Sequence, residues 1–246
     1  ARALVAAKMH NPQIHIEAGL RSFNREMPEE INRIVADEFA HMLFCPTDNA
    51  IENLRKEGIT HDRIFRCGDV MCDMVKIIEP KSMPLVDYPY YFVTIHRPYN
   101  TDDLERLTAI LTELNALDKK VIFSIHPRTV SRMEQYGMST ASFSNIVFIA
   151  PQSYVESISY QKYSDCVITD SGGIQKEAYI LRKKCITLRS ETEWTETLHG
   201  GWNTLVFEDL KQIRVVLAQR TGAYIDEVYG KGNAAEEITD LILKYI

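Results

Sequence analysis

The second half of the sequence alternates short apolar runs with amphipathic ones, and this alternation restricts the possible folds more than any other feature. From Tyr90 onward, runs rich in β-branched and aromatic residues, such as YYFVTI, KVIFSI and CVIT, are separated by segments with helical periodicity, such as DLERLTAILTELNAL. Elements that alternate in this way form right-handed βαβ crossovers around a parallel sheet. The pattern therefore predicts an α/β protein with a doubly wound parallel sheet, whose ligands bind at the carboxyl ends of the strands.

The residues before Tyr90 carry a shorter version of the same pattern, with QIHIEA, MLFCP and RIFRCG as predicted strands. This segment is short for a complete doubly wound domain and opens in mid-pattern. We therefore expect residues 1–82 to be the C-terminal portion of a first Rossmann-like domain. The segment EPKSMPLVDYP, residues 79–89, contains three prolines and no periodicity, which is typical of a linker. The second domain is expected to begin at residue 83.

Composition narrows the possible partners and the location. The formal net charge of −6 is spread without long runs of like charge, which argues against nucleic acid as the main partner. The five cysteines show no CxxC pair, and we interpret them as core residues of a protein in the reducing cytoplasm. No apolar stretch reaches the ~20 residues of a membrane span, and no His/Asp/Glu group has the spacing of metal ligands. We expect neither membrane association nor a metal.

The stretch VITDSGGIQKEA, residues 167–178, carries the strongest local signal for a ligand. A β-branched strand ends at Asp170, and Ser171, Gly172 and Gly173 then turn the chain into a helix. Small residues let a ligand approach the backbone, and the first turn of the helix offers unpaired N–H groups and a positive dipole end. The pattern predicts a phosphate-binding cradle. The alternative is that Asp170 or Ser171 only caps the helix and the glycines only turn the chain.

Other polar residues follow predicted strands and are expected at the same edge of the sheet. His96 and Arg97 follow YYFVTI, and His126 follows KVIFSI, which suggests anion contacts or proton transfer. Glu177 stands one helical turn after Gly173. There it either accepts hydrogen bonds from the ribose hydroxyls of a nucleotide or simply complements the helix dipole.

The segment LRSETEW follows a further strand and has two readings. In the first, Arg189 meets a phosphate, and Thr192 or Glu193 contacts a sugar. In the second, Ser190 caps a helix and Glu193, three residues on, completes a capping box. The sequence favours neither.

The segment HIEAGLRSFNREMPEEINR is the best candidate for chemistry in the first domain. Glu17 directly follows a strand, and Arg21 lies in the loop after it. Pro28 suits the first turn of a helix and acids suit its dipole, so Glu29 and Glu30 are also explained as helix-start residues, an interpretation we prefer for Glu30. Carboxylates from different elements that converge on one substrate are what acid–base exchange needs when their environments separate their pKa values.

Taken together, these motifs resemble the non-hydrolysing UDP-N-acetylglucosamine 2-epimerases over nearly the whole chain. The resemblance is carried by HIEAGLRS…MPEEINR…D, FCPTDNAIENLRKEG, IFRCGD, TIHRPYNTDD, IHPRT, TDSGGIQKEA and LRSETEWTET, in that order. It implies two Rossmann-like domains in the GT-B arrangement, the second of them, residues 83–230, binding UDP. It also implies that residues 231–246 form a helix returning to the first domain, and that the first domain is incomplete at its N-terminus relative to the family.

The resemblance further implies an enzyme that epimerises C2 of a UDP-2-acetamido sugar by anti elimination of UDP and re-addition, in the synthesis of cell-surface polysaccharide precursors. The substrate pair would be UDP-GlcNAc and UDP-ManNAc or a close relative. Such chemistry needs stabilisation of the departing UDP and bases near C2, and no cofactor is expected. By position, the implied catalytic residues are Glu17, Glu29 and His96, and the implied substrate-binding residues are Arg21, His126, Gln152, Ser171, Gly172, Gly173, Glu177 and Arg189.

Two departures from the family pattern leave the exact sugar open: Tyr99 stands where the family commonly has Glu, and Trp194 where many members have Arg. A homodimer is expected because it is common in the family. Two alternative functions remain. A GT-B glycosyltransferase would share the cradle and the ribose contact of Glu177 but would not need the pair of glutamates, and a UDP-sugar-binding fragment would bind without turnover.

Overall fold

The computed structural model describes residues 2–60 and 62–245, and the chain forms two compact units. The first unit consists of Ala1–Lys76 and Ile225–Ile246, and the second of Ile77–Tyr224. Within the described residues, the first unit contains a sheet of three parallel strands and the second a sheet of six. The predicted α/β class with parallel sheets is confirmed. The domain limits drawn from the sequence stay predictions.

The first unit begins with a short helix and then alternates strands and helices. Its elements up to the boundary are α1 (Arg2–Lys8), β1 (Ile14–Ile16), α2 (Pro28–Phe39), β2 (Met42–Cys45), α3 (Asp48–Lys56), β3 (Ile64–Arg66) and α4 (Val70–Ile78). The strands pair in the order β1-β2-β3, so that β2 is central and buried along its length. On the edge strand β1, Ile14 and Ile16 remain 37% and 44% exposed.

The second unit follows the same alternation over a longer segment. Its elements are β4 (Tyr90–Thr94), α5 (Pro98–Thr101), α6 (Leu104–Asn115), β5 (Lys120–Ser124), α7 (Pro127–Gln135), β6 (Ile146–Ile149), α8 (Tyr154–Tyr163), β7 (Cys166–Thr169), α9 (Gly172–Ile180), β8 (Cys185–Thr187), β9 (Asn203–Leu205) and α10 (Gln212–Ala218). Short 3₁₀ segments occupy Glu79–Lys81, Thr140–Ser142 and Thr195–Gly201.

The six strands lie in the order β6-β5-β4-β7-β8-β9, so the direction of strand addition reverses between β4 and β7. Alternate side chains of β4 point to opposite faces of this sheet. Tyr91 and Val93 belong to one apolar cluster, and Tyr90 and Phe92 to the other, because a central strand in such a sheet is covered on both sides. The crevice at the carboxyl ends of β4 and β7 is where doubly wound sheets bind their ligands.

The last helix, α11 (Ala234–Tyr245), belongs to the first unit. The carboxylate of Asp73 accepts hydrogen bonds from the backbone N–H groups of Ala234 and Ala235 at 3.0 and 2.8 Å, which fixes the N-terminus of this helix. Ile238 packs in one buried cluster with Met42 and Phe44 of β2. The helix therefore covers one face of the three-stranded sheet.

Two elements of the second unit differ from the sequence expectation. Helix α7 was not predicted, because PRTVSRMEQ is mostly charged and polar and buries only Thr129 and Met133. The helix expected near EWTETLH is the 3₁₀ segment Thr195–Gly201, which is broken at His199 and Gly200. Neither difference changes the order of the strands.

The five cysteines are buried and free, as expected for core residues. Burial raises the pKa of the Cys45 and Cys185 thiols to about 12, so both stay protonated at neutral pH. Among the helices of residues 2–60 and 62–245, none combines the length and the apolar character needed to cross a bilayer.

Candidate functional site

A buried aspartate joins the two loops that follow β4 and β7 in the second unit. Asp170 is 0% exposed, and its carboxylate accepts hydrogen bonds from the backbone N–H groups of His96 and Arg97 at 3.0 and 2.8 Å. The side-chain amide of Asn100 donates a third hydrogen bond at 3.1 Å. Asp170 therefore does not cap the following helix, as the simpler interpretation of its sequence position suggested, but fixes the loop that carries His96.

Asp170 also orients the imidazole of His96. The Nδ1 atom of His96 lies 3.2 Å from the Oδ1 atom of Asp170, so a carboxylate that only accepts favours the tautomer with the proton on Nδ1. Nε2 of the neutral ring then holds a lone pair. Burial lowers the pKa of His96, Asp170 opposes this shift, and Arg97 and His126 add to it. The ring is therefore mostly neutral at neutral pH, as a proton acceptor must be.

His96, His126 and Gln152, three residues predicted to bind or act on the substrate, line one cavity of about 220 Å³. The centroids of the two imidazole rings are 5.4 Å apart. Nδ1 of His126 accepts a hydrogen bond from the backbone N–H of Arg128 at 3.1 Å and so caps α7, and Nε2 of Gln152 donates to the carbonyl oxygen of Ala150 at 2.6 Å. The cavity is smaller than the pockets for drug-sized ligands, which span about 300–1,000 Å³.

The turn between β7 and α9 has the features expected of a phosphate cradle. Ser171 is the N-cap of α9, and its hydroxyl accepts a hydrogen bond from the backbone N–H of Ile174 at 3.4 Å. A Cβ atom at Gly172 would lie 2.9 Å from Oε1 of Glu193, so only glycine fits without displacing that carboxylate. The half-buried Gly173 completes the first turn. Ser171 therefore does cap the helix, and the missing side chain at Gly172 gives room to the carboxylate of Glu193.

Arg189 supplies a buried positive charge at this cradle. The residue is 3% exposed, and its Nη2 atom donates to Oε2 of Glu193 at 2.9 Å. Its Nη1 atom is buried without a hydrogen-bond partner and would lie 3.5 Å from a Cβ atom at Gly172. A buried guanidinium nitrogen without an acceptor is costly, so an anionic oxygen beside Gly172 would satisfy it. The capping-box alternative is not observed, because the helical segment begins at Thr195 and Glu193 pairs with Arg189.

Glu177 lies on α9 with its carboxylate buried. Nε2 of Gln161 donates to Oε2 of Glu177 at 2.6 Å, and the side chain of Tyr154 contributes a second hydrogen bond. Burial raises the pKa of Glu177, although both hydrogen bonds and the charge of Lys176 oppose the shift. A residue that only complements a helix dipole is normally exposed. The burial of Glu177 and its two side-chain hydrogen bonds therefore favour a further role for it.

In the first unit, the loop after β1 is organised by a second buried aspartate. Asp37 of α2 accepts a hydrogen bond from Nδ1 of His15 at 2.6 Å and from the backbone N–H of Gly19 at 3.2 Å. Nη1 of Arg21 lies 2.7 Å from Oδ2 of Asp37. Gly19 itself has a positive φ of 77°, and a Cβ atom there would lie 2.2 Å from the carbonyl oxygen of Ala50. Asp37 was not among the predicted site residues.

The predicted residues of this loop differ in their surroundings. Glu17 is half-buried and has a φ of 63°, a left-handed conformation that is strained for a residue other than glycine. Glu29 is exposed in the first turn of α2. Glu30 is buried, and it accepts hydrogen bonds from the backbone N–H groups of Ser22 and Phe23, both at 3.0 Å. Glu30 therefore fixes the loop, a role beyond that of the helix-start residue we preferred.

Arg21, which was predicted to bind substrate, is engaged inside the first unit. Its guanidinium pairs with Asp37 and donates two hydrogen bonds to Glu57, from Nε at 2.7 Å and from Nη2 at 2.5 Å. Nη1 of Arg21 also donates a hydrogen bond to the carbonyl oxygen of Leu20 at 2.8 Å. This geometry favours a structural role, and the substrate-binding role of Arg21 stays a prediction.

Within residues 2–60 and 62–245, no group of three or more His, Cys, Asp or Glu side chains is arranged to hold a metal ion.

The model of the UDP-N-acetylglucosamine 2-epimerase family matches residues 1–243 of the chain. The chain belongs to this family. The resemblance drawn from the motifs is therefore confirmed, while the role of each site residue stays a prediction.

Individual relatives in the epimerase family cover nearly the whole chain. It is 39% identical over 256 residues to the UDP-2,3-diacetamido-2,3-dideoxy-D-glucuronate 2-epimerase of Pseudomonas aeruginosa. This alignment covers 99% of this chain and 71% of the relative. It is 38% identical over 263 aligned positions to the UDP-N-acetylglucosamine 2-epimerase of Methanocaldococcus jannaschii, which spans 98% of this chain and 71% of the relative.

Solved structures of the family agree with the fold. The crystal structure of the Methanocaldococcus jannaschii enzyme in complex with UDP-GlcNAc and UDP superposes with a TM-score of 0.86 at 36% identity, covering 98% of this chain and 72% of that one. The Neisseria meningitidis enzyme bound to UDP-GlcNAc gives a TM-score of 0.84 at 26% identity, covering 98% and 72%. Both structures carry the nucleotide sugar that the motifs led us to expect for the family.

The two positions that depart from the epimerase pattern lie in the second unit near the cradle. Tyr99 of α5 packs edge-on against Phe207, with ring centroids 5.8 Å apart. Burial raises the pKa of Tyr99 to about 12, and the charge of Arg189 opposes the shift, so its hydroxyl remains a neutral hydrogen-bond donor. Trp194 is buried, with its indole nitrogen facing Gly172.

Proposed function

We propose that this protein epimerises C2 of a UDP-2-acetamido sugar by eliminating UDP and adding it back. Membership of the 2-epimerase family supports the reaction class. One observation supports the assignment to particular residues: the buried Asp170 binds the loop of His96 to the loop that forms the cradle. The proposed proton acceptor and the proposed anion site therefore belong to the same edge of one sheet.

In the proposed reaction, the bond between C1 and the diphosphate oxygen breaks and UDP departs with the bonding electrons. Negative charge then grows on the diphosphate. The N-terminus of α9 and the unpartnered Nη1 atom of Arg189 would stabilise that charge, and preorganised donors of this kind are often the largest contribution to catalysis. Ser171, Gly172 and Gly173 are the proposed contacts to the phosphates.

The C2 proton leaves in the same elimination and returns to the opposite face. Cationic character at C1 acidifies C2–H, which is otherwise only weakly acidic, so a base must be close to it. We assign proton exchange to Glu17, Glu29 and His96. The strained backbone at Glu17 and the lone pair on Nε2 of His96 support this assignment. Electrons and atoms balance in each direction, so the reaction consumes no cofactor.

The rest of the nucleotide is proposed to bind along the same edge. Gln152 would contact the uridine and His126 the phosphates, and the carboxylate of Glu177 would accept hydrogen bonds from the ribose hydroxyls. We also propose a cytoplasmic location and a homodimer. The buried, protonated cysteines are in keeping with a reducing compartment, and light scattering of the purified protein tests the dimer.

The reaction is tested by deuterium exchange. The protein is incubated in deuterated water with UDP-GlcNAc, UDP-ManNAc and UDP-2,3-diacetamido sugars, and deuterium at C2 is measured by mass spectrometry and NMR. We expect incorporation at C2 together with the C2 epimer for at least one substrate. A matched protein carrying Glu17→Gln should incorporate far less.

The other functions give different results in the same experiment. A glycosyltransferase would release UDP and transfer the sugar to an acceptor without deuterium at C2. A binding protein would show UDP-dependent heat in calorimetry and no exchange. Either result with all of the sugars tested would overturn the proposed epimerisation.

A further inference from the structure

From Asp170, a chain of hydrogen bonds leads through one asparagine to an arginine that has no role in the reaction described above. Asn100 is 0% exposed, and its Nδ2 atom donates to Oδ2 of Asp170 at 3.1 Å and to the carbonyl oxygen of Leu188 at 2.9 Å. Its Oδ1 atom accepts a hydrogen bond from Nε of Arg106 at 3.2 Å. Both donor positions and the oxygen of this buried amide are therefore used.

These partners allow only one orientation of the Asn100 amide. If the amide were turned over, its oxygen would face two acceptors, the carboxylate of Asp170 and the carbonyl oxygen of Leu188. Its NH2 group would face the guanidinium of Arg106, which only donates. Buried polar groups that face groups of the same kind lose their hydrogen bonds, and this loss costs free energy. Arg106 therefore helps to fix the side of Asn100 that donates to Asp170.

Arg106 is itself held from another part of the sheet. It belongs to α6, and its Nη1 atom donates to the carbonyl oxygen of Phe207 at 2.5 Å. Its guanidinium carbon lies 4.5 Å from the centroid of the Phe207 ring, within the range of a cation–π contact. The chain of contacts thus joins the segments that come after four neighbouring strands, β9, β8, β7 and β4, at Phe207, Leu188, Asp170 and Asn100.

We propose that Arg106 is a positioning residue for His96. It acts through the amide of Asn100 on the carboxylate of Asp170, which holds Nδ1 of the imidazole. The inference rests on the proposed function, in which His96 accepts a proton. Hydrogen bonds in such a chain polarise one another, so the charge of Arg106 strengthens the bond from Asn100 to Asp170. The carboxylate of Asp170 then stabilises a proton on His96 less strongly.

The loss of Arg106 therefore has an effect of known sign on His96. Burial lowers the pKa of His96. Four charged or titratable neighbours from the loops after β4, β5 and β7 and from α7 also act on this pKa: Asp170 raises it, whereas Arg97, His126 and Arg128 lower it. Without Arg106, Asn100 donates less strongly, and the carboxylate of Asp170 raises the pKa of His96 further.

An NMR titration of the free protein tests this chain of contacts without any substrate. The chain contains seven histidines, so isotope-labelled histidine is incorporated and the His96 signals are assigned by their loss in His96→Gln. We expect Arg106→Met to raise the pKa of His96 by about 0.3–0.5, because the charge acts through two hydrogen bonds rather than directly. Asp170→Asn should lower the same pKa, because it removes the negative charge beside the ring.

Turnover shows whether this positioning matters for catalysis. In the deuterium-exchange assay, at a pH where His96 is neutral, Arg106→Met should lower kcat about tenfold, because the proton acceptor is held less firmly. KM and the Kd for UDP should stay within about twofold, because the phosphate contacts are intact. Arg106→Lys keeps the charge and should restore part of kcat. Arg214→Met is the matched control, because Arg214 also binds α6, through Glu113 at 3.0 Å, and lies outside the chain of contacts. It should leave kcat and the pKa of His96 unchanged.

The outcomes distinguish this inference from the proposed function. If the pKa of His96 in Arg106→Met equals that of the parent, the inference is overturned, while epimerisation stands. Equal effects of Arg106→Met and Arg214→Met would also overturn it, because they would reflect a general loosening of α6. Absence of deuterium exchange at C2 in the parent protein would overturn the proposed function itself, and the NMR titration would still decide whether Arg106 acts on His96. Arg106→Gln, which removes the charge but keeps a donor, gives the same comparison if Arg106→Met does not fold.

Discussion

Each unit organises its candidate loop around a buried aspartate that pairs with the Nδ1 atom of a histidine, but the two aspartates are compensated differently. Asp37 in the first unit pairs with His15 at 2.6 Å and with the buried guanidinium of Arg21 at 2.7 Å. Asp170 in the second unit pairs with His96 at 3.2 Å and is otherwise held by neutral donors, two backbone N–H groups and one side-chain amide.

The difference agrees with the separate roles that we propose for the two units. In the first unit the buried guanidinium of Arg21 is bound to Asp37 and Glu57, and the predicted reactive groups are carboxylates. In the second unit Asp170 is held by neutral donors, and Nη1 of Arg189 is buried at the cradle without a hydrogen-bond partner. This contrast favours anion binding in the second unit and proton transfer by acids in the first.

The largest expected effect comes from the first unit alone. Glu17→Gln keeps the shape of the side chain and removes the base, and we expect the rate of deuterium exchange at C2 to fall about 10³-fold, within the usual range for a general base. The Kd for UDP should stay within about twofold, because the contacts proposed for UDP belong to the second unit. Calorimetry and mass spectrometry measure the two quantities.

Glu26→Gln is the matched control, because Glu26 is an exposed glutamate of the same loop. It should leave both quantities unchanged. A Glu17→Gln protein that binds UDP much more weakly would break the division between the units, since a first-unit acid would then contribute to anion binding.

The next effect is on stability. Asp37→Asn removes one of the two carboxylates that pair with the buried Arg21. We expect a loss of about 3 kcal/mol in the free energy of unfolding, at the lower end of the range for broken buried ion pairs, because Glu57 still pairs with the guanidinium. Trp194 and Trp202 both belong to the second unit, so tryptophan fluorescence reports its unfolding. In a urea titration, the midpoint from far-UV circular dichroism should fall while the fluorescence midpoint stays in place. A parallel fall in both would mean that the two units unfold together.

The complementary substitution in the second unit is expected to cost less. Asp170→Asn keeps the volume and one acceptor oxygen, and no buried guanidinium loses its partner, so we expect about 2 kcal/mol from weakened hydrogen bonds. Here the fluorescence midpoint should fall. A cost as large as that of Asp37→Asn would show that neutral donors hold their aspartate as strongly as an arginine does, and the contrast between the units would disappear.

The contrast between the two units also shows which features of the structure could be predicted from the sequence. Strands β4 to β9 and the cradle follow from local signals, namely apolar runs with helical periodicity between them and small residues where a strand turns into a helix. The contacts of the two buried aspartates do not follow from local signals. Asp37 meets Arg21 across 16 positions and Asp170 meets His96 across 74, and only tertiary packing brings them together. Asp170 was noticed as a possible cap, whereas no local pattern marked Asp37.

Helix α7 shows a different limit. Only Thr129 and Met133, four residues apart, are buried, and the other positions are mostly charged or polar, so few apolar residues mark the helix in the sequence. Pro127 at its first position, preceded by His126 as the N-cap, was the available signal, since proline is favoured at the start of a helix. The motif IHPRT was interpreted only for its chemistry, although it also marks the start of a helix.

The pH dependence of the reaction sharpens the role of Asp170. Burial lowers the pKa of His96 below its ordinary value of 6.5, and the ring must be neutral to accept a proton. Activity should therefore hold as the pH falls to 6.5 and then decline, about tenfold per pH unit below the pKa. Because the charge of Asp170 raises the pKa of His96, Asp170→Asn should move this decline to lower pH. A decline that begins above pH 6.5 would assign the limb to another group.

The smallest effect tests whether the first unit holds its reactive acid under strain. With a φ of 63°, Glu17 has a conformation that costs a residue with a Cβ atom about 1–2 kcal/mol and costs glycine almost nothing. Glu17→Ala and Glu17→Gly both remove the carboxylate, so both should lose activity, and the comparison of the two isolates the backbone. We expect the glycine variant to be more stable than the alanine variant by about 0.5–1 kcal/mol in urea unfolding, because the greater freedom of glycine in the unfolded chain offsets part of the relief. If alanine were equally stable, the strain at Glu17 would be absent, and the first unit, like the second, would hold its reactive group by hydrogen bonds alone.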